Sequence, residues 1–178
     1  IELDESIFYP GGGGQPCDTG LIKNDSFEGE VLDIIKEKEK TIHKIMPKHG
    51  SLKEGDEVKL FINKERREKL IRMHTGEHIL FKSLEHAIGE ISLVKIDLDE
   101  IESSLFISAK DVTWDKIFKA EELVNKIIEQ DRQIIQKEYP KTDAVMMGKL
   151  RIKPDRIASD TVRVLEILDF DWSACTGT

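Results

Sequence analysis

The strongest constraint on the fold of this chain is a long helical pattern that begins after Asn63. Asn is a favoured N-cap residue, and Gly89 provides a stop signal at the other end. Between them, apolar residues recur at three- and four-residue steps, as on the buried face of a helix: Leu70, Met73, Leu80, Phe81, Leu84 and Ile88. The pattern predicts a helix from about Lys64 to Ala87 with one face packed inward.

The residues before this helix carry strand and turn signals instead. Val31–Lys36 and Thr41–Met46 are typical of a strand pair around the charged turn 37–40, and Val58–Ile62 indicates another strand. Several short strands at close spacing favour a small β-barrel or sandwich. We therefore expect an N-terminal β-barrel-like domain over residues 1–62, with a second domain over residues 63–178.

The second domain combines hairpin and helix signals. Ile91–Asp97 and Ile101–Ser108 alternate as in a hairpin, and a second helix is expected after Thr113. Ile134–Tyr139 is either the tail of that helix or a new strand, and Thr161–Leu168 is strand-like. The predicted class is α+β, with helices packed on a largely antiparallel sheet.

Composition narrows the class of function. The 178-residue chain has a net charge of −8, which argues against non-specific binding to nucleic acid. Two basic islands, Lys64–Arg72 and Lys149–Arg156, are compatible with local contact to an RNA end or with solvated surface. No stretch is long and apolar enough to span a membrane, and two cysteines make no disulfide framework. A cytoplasmic protein is expected.

The clearest chemical signal is a pair of histidines on the long helix. His74 and His78 stand four residues apart, so both imidazoles share one helical face and suit two ligands of one small cation. A strand leads to Cys175 near the end of the sequence. One thiolate and two imidazoles favour zinc over magnesium or calcium, and a fourth ligand would come from elsewhere.

Two residues between the histidines need separate interpretation. Gly76 costs about 1 kcal/mol relative to alanine in mid-helix, so it indicates either close packing of another backbone or room for a substrate. Glu77 invites comparison with metalloproteases in which Glu follows the first His and acts as base. Here it precedes the second His instead, and we expect it to point off the histidine face.

A run of four glycines, Gly11, Gly12, Gly13 and Gly14, precedes Gln15. Such a loop can approach a ligand or another backbone closely, or it can form a flexible hairpin turn. It is neither a P-loop, since Gly-Lys-Ser/Thr is missing, nor a dinucleotide fingerprint, since no helical pattern follows.

Three motifs together resemble one family. Phe8-Tyr9-Pro10 with the glycine run, the segment from His74 to His78 (HTGEH), and the segment from Cys175 to Thr178 (CTGT) are similar to the alanyl-tRNA editing proteins. That family comprises free-standing AlaX proteins and the homologous editing domain of alanyl-tRNA synthetases. The resemblance covers essentially the whole chain.

The resemblance implies both a site and a reaction. His74, His78 and Cys175 would bind zinc, with a last ligand expected one position after Thr178. Thr75 would hydrogen-bond the serine hydroxyl, and Gln15 would reach the editing pocket from the glycine loop of residues 11–14. The implied reaction is ATP-independent deacylation of tRNA(Ala) mischarged with serine or glycine, which supports translation fidelity.

Three alternatives stay open at this point. The chain could be an excised editing domain of an alanyl-tRNA synthetase, or a non-catalytic zinc- or RNA-binding module of the same fold. A zinc peptidase or amidase is disfavoured by the position of Glu77.

Overall fold

The structure is a computed structural model that describes residues 1–37, 40–148, 150–151, 155, 157 and 159–178. The tip of the predicted charged turn, residues 38–39, and much of the second basic island (149, 152–154 and 156) therefore lie outside the described residues. Within the described part, no helix combines the length and apolar character needed to cross a bilayer.

Two compact units make up the described chain. The first unit contains Ile1–Met73, Asp97–Ser103 and Gly177–Thr178, and the second contains His74–Ile96 and Ser104–Thr176. The predicted domain boundary between residues 62 and 63 rests on the change from strand signals to helix signals in the sequence, and it stays a prediction.

The first unit is built on an antiparallel sheet. Its strands are β1 (Gly20–Lys23), β2 (Glu28–Glu37), β3 (Lys40–His49) and β4 (Lys59–Ile62), in the order β3-β2-β1-β4. The three strands predicted for this region correspond to β2, β3 and β4. The described pairings leave β3 and β4 at the two ends of the order, so the closed barrel is not confirmed.

A bulge in β2 explains how this sheet fills its core. The register with β3 shifts between Val31 and Asp33, which leaves Leu32 outside the ladder. The extra residue resets the alternation, so Val31 and Ile34 both reach the same core although three positions separate them. Phe8 and Ile22 complete the buried part of that cluster.

The long helix α1 (Lys64–Ile88) forms as its end signals predict. The Asn63 side chain accepts a hydrogen bond from the Arg66 backbone N–H at 3.1 Å, which caps the first turn. At the other end Gly89 has φ +102° and donates to the Glu85 carbonyl at 3.0 Å. Because the unit boundary falls between Met73 and His74, α1 contributes residues to both units.

The second unit combines helices with antiparallel sheets. β5 (Ile91–Asp97) and β6 (Ser104–Ala109) form the predicted hairpin, and α2 (Trp114–Glu129) follows its Thr113 cap. Ile134–Tyr139 belongs to a strand, which settles the choice left open by the sequence. The remaining elements are β7 (Ile134–Pro140), the short helix α3 (Lys141–Met146), β8 (Thr161–Ile167) and β9 (Asp171–Ala174), with β7, β8 and β9 in one sheet. The α+β class is confirmed.

Candidate metal centre

Helix α1 holds His74 and His78 one turn apart on its buried side. Their ring centroids are 5.2 Å apart and the ring planes differ by 10°, so the imidazoles lie nearly parallel. Both side chains are buried, at 6% and 7% exposure. The helical spacing therefore places two nitrogen ligands next to each other away from bulk solvent.

Strand β9 brings the third ligand candidate to them. Along this strand and the residue after it, Asp171, Ser173 and Cys175 are buried while the residues between them are less so. This period of two is the alternation of a strand with one inward face. Cys175 Sγ lies 3.3 Å from His74 Nε2, and the ligand atoms of His74, His78 and Cys175 all lie within 4.8 Å of one another.

This group fits a small cation. With zinc–nitrogen and zinc–sulfur bonds of about 2.0 and 2.3 Å, the two nitrogens and one sulfur of a tetrahedral site are about 3.3–3.5 Å apart, so closure of about 1.3 Å or less is enough. His78 Nε2 is buried and has no hydrogen-bond partner within the described residues. A buried nitrogen without a partner costs free energy unless a ligand occupies its lone pair. The cluster could therefore bind a metal ion.

The other ring nitrogen of His78 lies among polar side chains. Nδ1 is 3.2 Å from Asp171 Oδ2, 3.1 Å from Ser173 Oγ and 2.9 Å from Arg151 Nη2. Arg151 Nη2 also donates to Asp171 Oδ2 at 3.0 Å and to Ser173 Oγ at 2.7 Å. One nitrogen of His78 is thus held by a network, while the other faces the cysteine and His74.

The side chains of the cluster also shift one another's pKa values. Burial alone would raise the pKa of Cys175, but its interactions with His74 and His78 outweigh it and lower the pKa to about 5. Burial would lower the pKa of His78, but its interactions with Asp171, Cys175 and Glu77 raise it to about 9. The thiolate, which is the form that binds metals, is therefore favoured at neutral pH.

Comparison with known proteins shows which proteins this chain is similar to. Residues 1–66 match the family model described as tRNA synthetases class II (A). The whole chain is 39% identical to the alanyl-tRNA editing protein AlaX-L of Pyrococcus horikoshii, of which it covers 43%. It is also 33% and 32% identical to the alanine–tRNA ligases of Pyrococcus abyssi and Listeria welshimeri, aligned over 100% and 99% of the chain.

The resemblance predicted from the three motifs, to alanyl-tRNA editing proteins and alanine–tRNA ligases, is confirmed over the whole chain. The chain spans less than half of the editing relative and 20% of each of these ligases.

The glycine run that led to this family is an ordered turn in the first unit. Gly12 and Gln15 exchange two backbone hydrogen bonds of 3.0 Å, which closes a two-residue hairpin turn over Gly13 and Gly14. Those two residues have φ of +62° and +91°, which glycine adopts without strain. Gly11 is restricted by space, since an added Cβ would lie 3.2 Å from the Cys17 nitrogen.

Gln15, the residue that follows the turn, is buried at 3% exposure. Its Nε2 donates to Thr178 Oγ1 at 2.6 Å, and its Oε1 accepts from the Thr178 backbone N–H at 3.3 Å. Thr178 follows Cys175 by three positions in the sequence. Both ends of the Gln15 amide thus contact Thr178.

Glu77 of α1, which we expect to point off the histidine face, is buried at 7% exposure, and its Oε1 lacks a hydrogen-bond partner in the described part of the chain. Burial raises the pKa of its carboxyl, opposed by the charges of His78 and Arg151. Glu77 is buried because residues 74, 77 and 78 fall on neighbouring rows of the same helical side.

Thr75 and Gly76 lie in the same turn of α1 and are half-buried. A Cβ added at Gly76 would meet no atom within 4 Å among the described residues, so close packing of another backbone is not what requires glycine. Open space beside the histidine pair is compatible with room for a ligand. The role of Thr75 as the hydroxyl-binding residue stays a prediction.

The first basic island is largely occupied by internal pairs. Arg66 donates to Glu100 at 2.7 Å, Arg67 contacts the buried Asp18, and Lys69 pairs with Glu65. Three of its five positive side chains are therefore already neutralised, and the island offers less to an RNA than its sequence suggests. In the second island, Arg151 is directed to Asp171 and His78.

Sequence reasoning found the three ligand candidates but missed the network around His78. A signal for two of its members was present, since Asp171, Ser173 and Cys175 alternate along the predicted approach to the cysteine. Arg151 carried no comparable signal, because it stands in a basic stretch that resembles solvated surface.

Proposed function

We propose that this chain hydrolyses the ester bond of tRNA(Ala) mischarged with serine, with glycine as a second amino acid that it removes. The observation that carries the proposal is the 39% identity over the whole chain to an alanyl-tRNA editing protein, together with the convergence of His74, His78 and Cys175 in this chain. The proposal covers a protein that edits in trans and an editing portion of an alanine–tRNA ligase. Its expected compartment is the cytoplasm.

Binding physics explains why such an activity is needed. A pocket shaped for alanine rejects an amino acid with one extra hydroxyl by only about 100-fold. A second site that hydrogen-bonds the hydroxyl reverses this preference, because alanine leaves a buried polar group unpaired at a cost of about 1–3 kcal/mol. We assign that contact to Thr75, whose hydroxyl can both donate and accept.

Gln15 is proposed to assist this recognition from the glycine turn. In the structure its amide is engaged by Thr178 through two hydrogen bonds. Direct contact with the amino acid therefore requires exchange of one of those bonds. The alternative use of Gln15, to hold the cysteine segment in place, needs no such exchange.

The proposed metal is zinc, held by His74, His78 and Cys175. One thiolate and two imidazoles form a borderline-soft donor set that suits zinc better than magnesium or calcium. Zinc in such a site polarises a carbonyl oxygen or lowers the pKa of a bound water. Thr75 and Gln15 would orient the ester, and the burial of the cluster limits access of bulk water.

Deacylation of purified mischarged tRNA tests this proposal. The protein with zinc is expected to hydrolyse seryl-tRNA(Ala) and to spare alanyl-tRNA(Ala). Cys175→Ser should lower kcat/KM by more than about 100-fold, since loss of an outer-shell partner alone costs about 10–100-fold. Cys17→Ser is the matched control, because Cys17 lies in the first unit and is expected to leave the rate unchanged.

Two results would contradict the proposal. Equal rates for Cys175→Ser and Cys17→Ser would remove the metal cluster from the reaction. Binding of mischarged tRNA without any hydrolysis by the zinc-loaded protein would favour the non-catalytic module instead.

A further inference from the structure

Three side chains converge on a single atom of a proposed zinc ligand. His78 Nδ1 lies within 3.2 Å of Asp171 Oδ2, Ser173 Oγ and Arg151 Nη2. Asp171 and Ser173 are buried at 4% and 2% exposure. Such convergence in a low-dielectric interior is costly unless donors and acceptors match, so their roles can be worked out.

Asp171 is the acceptor in this group. As a carboxylate it cannot donate, so its Oδ2 accepts from Arg151 Nη2, from the Ser173 hydroxyl and from the His78 ring. A hydrogen bond from His78 to Asp171 requires the ring proton on Nδ1. That tautomer leaves the lone pair on Nε2, the buried nitrogen that has no partner within the described chain.

The opposite tautomer disables the site. If Arg151 donated to His78 Nδ1, the ring proton would sit on Nε2 and that nitrogen could not bind a cation. The same arginine therefore competes with Asp171 for Nδ1, and the carboxylate decides which nitrogen of the ring carries the proton. Without Asp171, the 2.9 Å contact between Arg151 Nη2 and His78 Nδ1 would favour the wrong tautomer.

Arg151 is itself held in place, so it can orient Asp171. Its guanidinium carbon lies 4.3 Å from the centroid of the Phe81 ring on α1. Its backbone N–H donates to the Trp172 carbonyl at 2.9 Å, and its carbonyl accepts from Ala174 at 3.0 Å, which ties it alongside β9. The network thus has backbone support from the strand that carries Asp171.

We propose that Asp171 is a positioning residue that fixes the metal-binding tautomer and ring orientation of His78, and that Arg151 orients Asp171. This inference rests on the proposed function only in that His78 is taken as a zinc ligand. Outer-shell carboxylates of this kind set ligand basicity and orientation in metal sites.

Zinc affinity is the direct readout. In competition with a chromophoric chelator, Asp171→Ala should weaken zinc binding about 10–100-fold. Asp171→Asn should recover part of this, because its amide oxygen can still accept from Nδ1–H although the charge is lost. Arg151→Lys should give a smaller loss, since one ammonium group does not reproduce the planar guanidinium.

Glu166→Gln is the matched control. Glu166 lines the same cavity as Arg151 and Asp171, and it lies opposite Trp172 in the β8–β9 ladder. The substitution removes the same charge from the same sheet, and zinc affinity is expected to match that of the unmodified protein.

A spectroscopic readout separates positioning from mere stability. Long-range proton–nitrogen NMR correlations of the metal-free protein should show the neutral His78 ring with its proton on Nδ1, and the metal-free Asp171→Ala variant should show loss of that tautomer preference.

The inference is overturned if Asp171→Ala and Asp171→Asn both bind zinc as tightly as Glu166→Gln. In that case Cys175→Ser still tests the metal site by itself. Failure of the unmodified protein to bind zinc would instead overturn the zinc part of the proposed function.

Discussion

Among the residues that the structure describes, each unit contains one buried aspartate paired with an arginine, and the two pairs differ in how completely they are satisfied. In the first unit, Asp18 is 1% exposed and accepts from Arg67 Nε at 2.8 Å, from Arg67 Nη2 and from the Tyr9 backbone N–H at 2.6 Å. Both carboxylate oxygens of Asp18 have donors. A buried charge with all its hydrogen bonds made is compatible with a purely structural role.

The pair in the second unit leaves hydrogen-bonding groups without partners. Asp171 and Arg151 both contact Nδ1 of His78, and the far nitrogen of that ring lacks a partner in the described part of the chain. Arg151 Nη1 is likewise buried without one among the described residues. The comparison teaches that a saturated ion pair indicates stability, whereas an ion pair that ends on an unsatisfied nitrogen indicates a place for a ligand.

The largest effect expected from this comparison is stabilisation by zinc. Because the cluster is assembled only in the folded chain, about a 1,000-fold excess of free zinc over its Kd should raise the free energy of unfolding by about 4 kcal/mol. Chemical denaturation with and without zinc measures the increment. His74→Ala should abolish it, whereas an unchanged increment in that variant would argue against the site.

Breaking the saturated pair should have a somewhat smaller effect of a different kind. Asp18→Ala leaves the Arg67 charge without its buried partner and should lower the free energy of unfolding by about 3 kcal/mol. Its zinc-dependent increment should stay the same as in the unmodified protein, as measured by the same denaturation series.

The control for this pair removes both charges together. Asp18→Leu combined with Arg67→Met should recover part of the lost stability, because no uncompensated charge remains buried. A double variant less stable than Asp18→Ala would contradict the uncompensated charge as the cause of the loss.

The smallest effects concern glycines, and their signs should be opposite. Gly13 lies in the turn with φ +62°, so Gly13→Ala should lower the free energy of unfolding by about 1–2 kcal/mol. Gly76 is helical with open space beside it, so Gly76→Ala should raise the same quantity by about 1 kcal/mol. Thermal unfolding of the two variants decides, and a loss of stability in Gly76→Ala would contradict the open space.

Local elements could be predicted well from the sequence. Asn63 and Gly89 delimit α1, Thr113 caps α2, and the alternating strands β2, β3 and β8 are near their predicted positions. These features depend on residues that are close in sequence. The short helix α3 and strand β9 were missed, since six and four residues are too few to show a periodicity.

The sequence by itself determined the ligand candidates, because spacing on one helix places His74 beside His78 and motif order points to Cys175. Only the tertiary structure decided which groups surround them. Arg151, Asp171 and Ser173 meet at His78 through the pairing of β8 with β9 and the course of the chain beside them. Such convergence depends on contacts between distant residues, which no local propensity encodes. The same reason explains why Glu77 proved to be buried and why Arg66 and Arg67 of the first basic island proved to be paired with distant carboxylates.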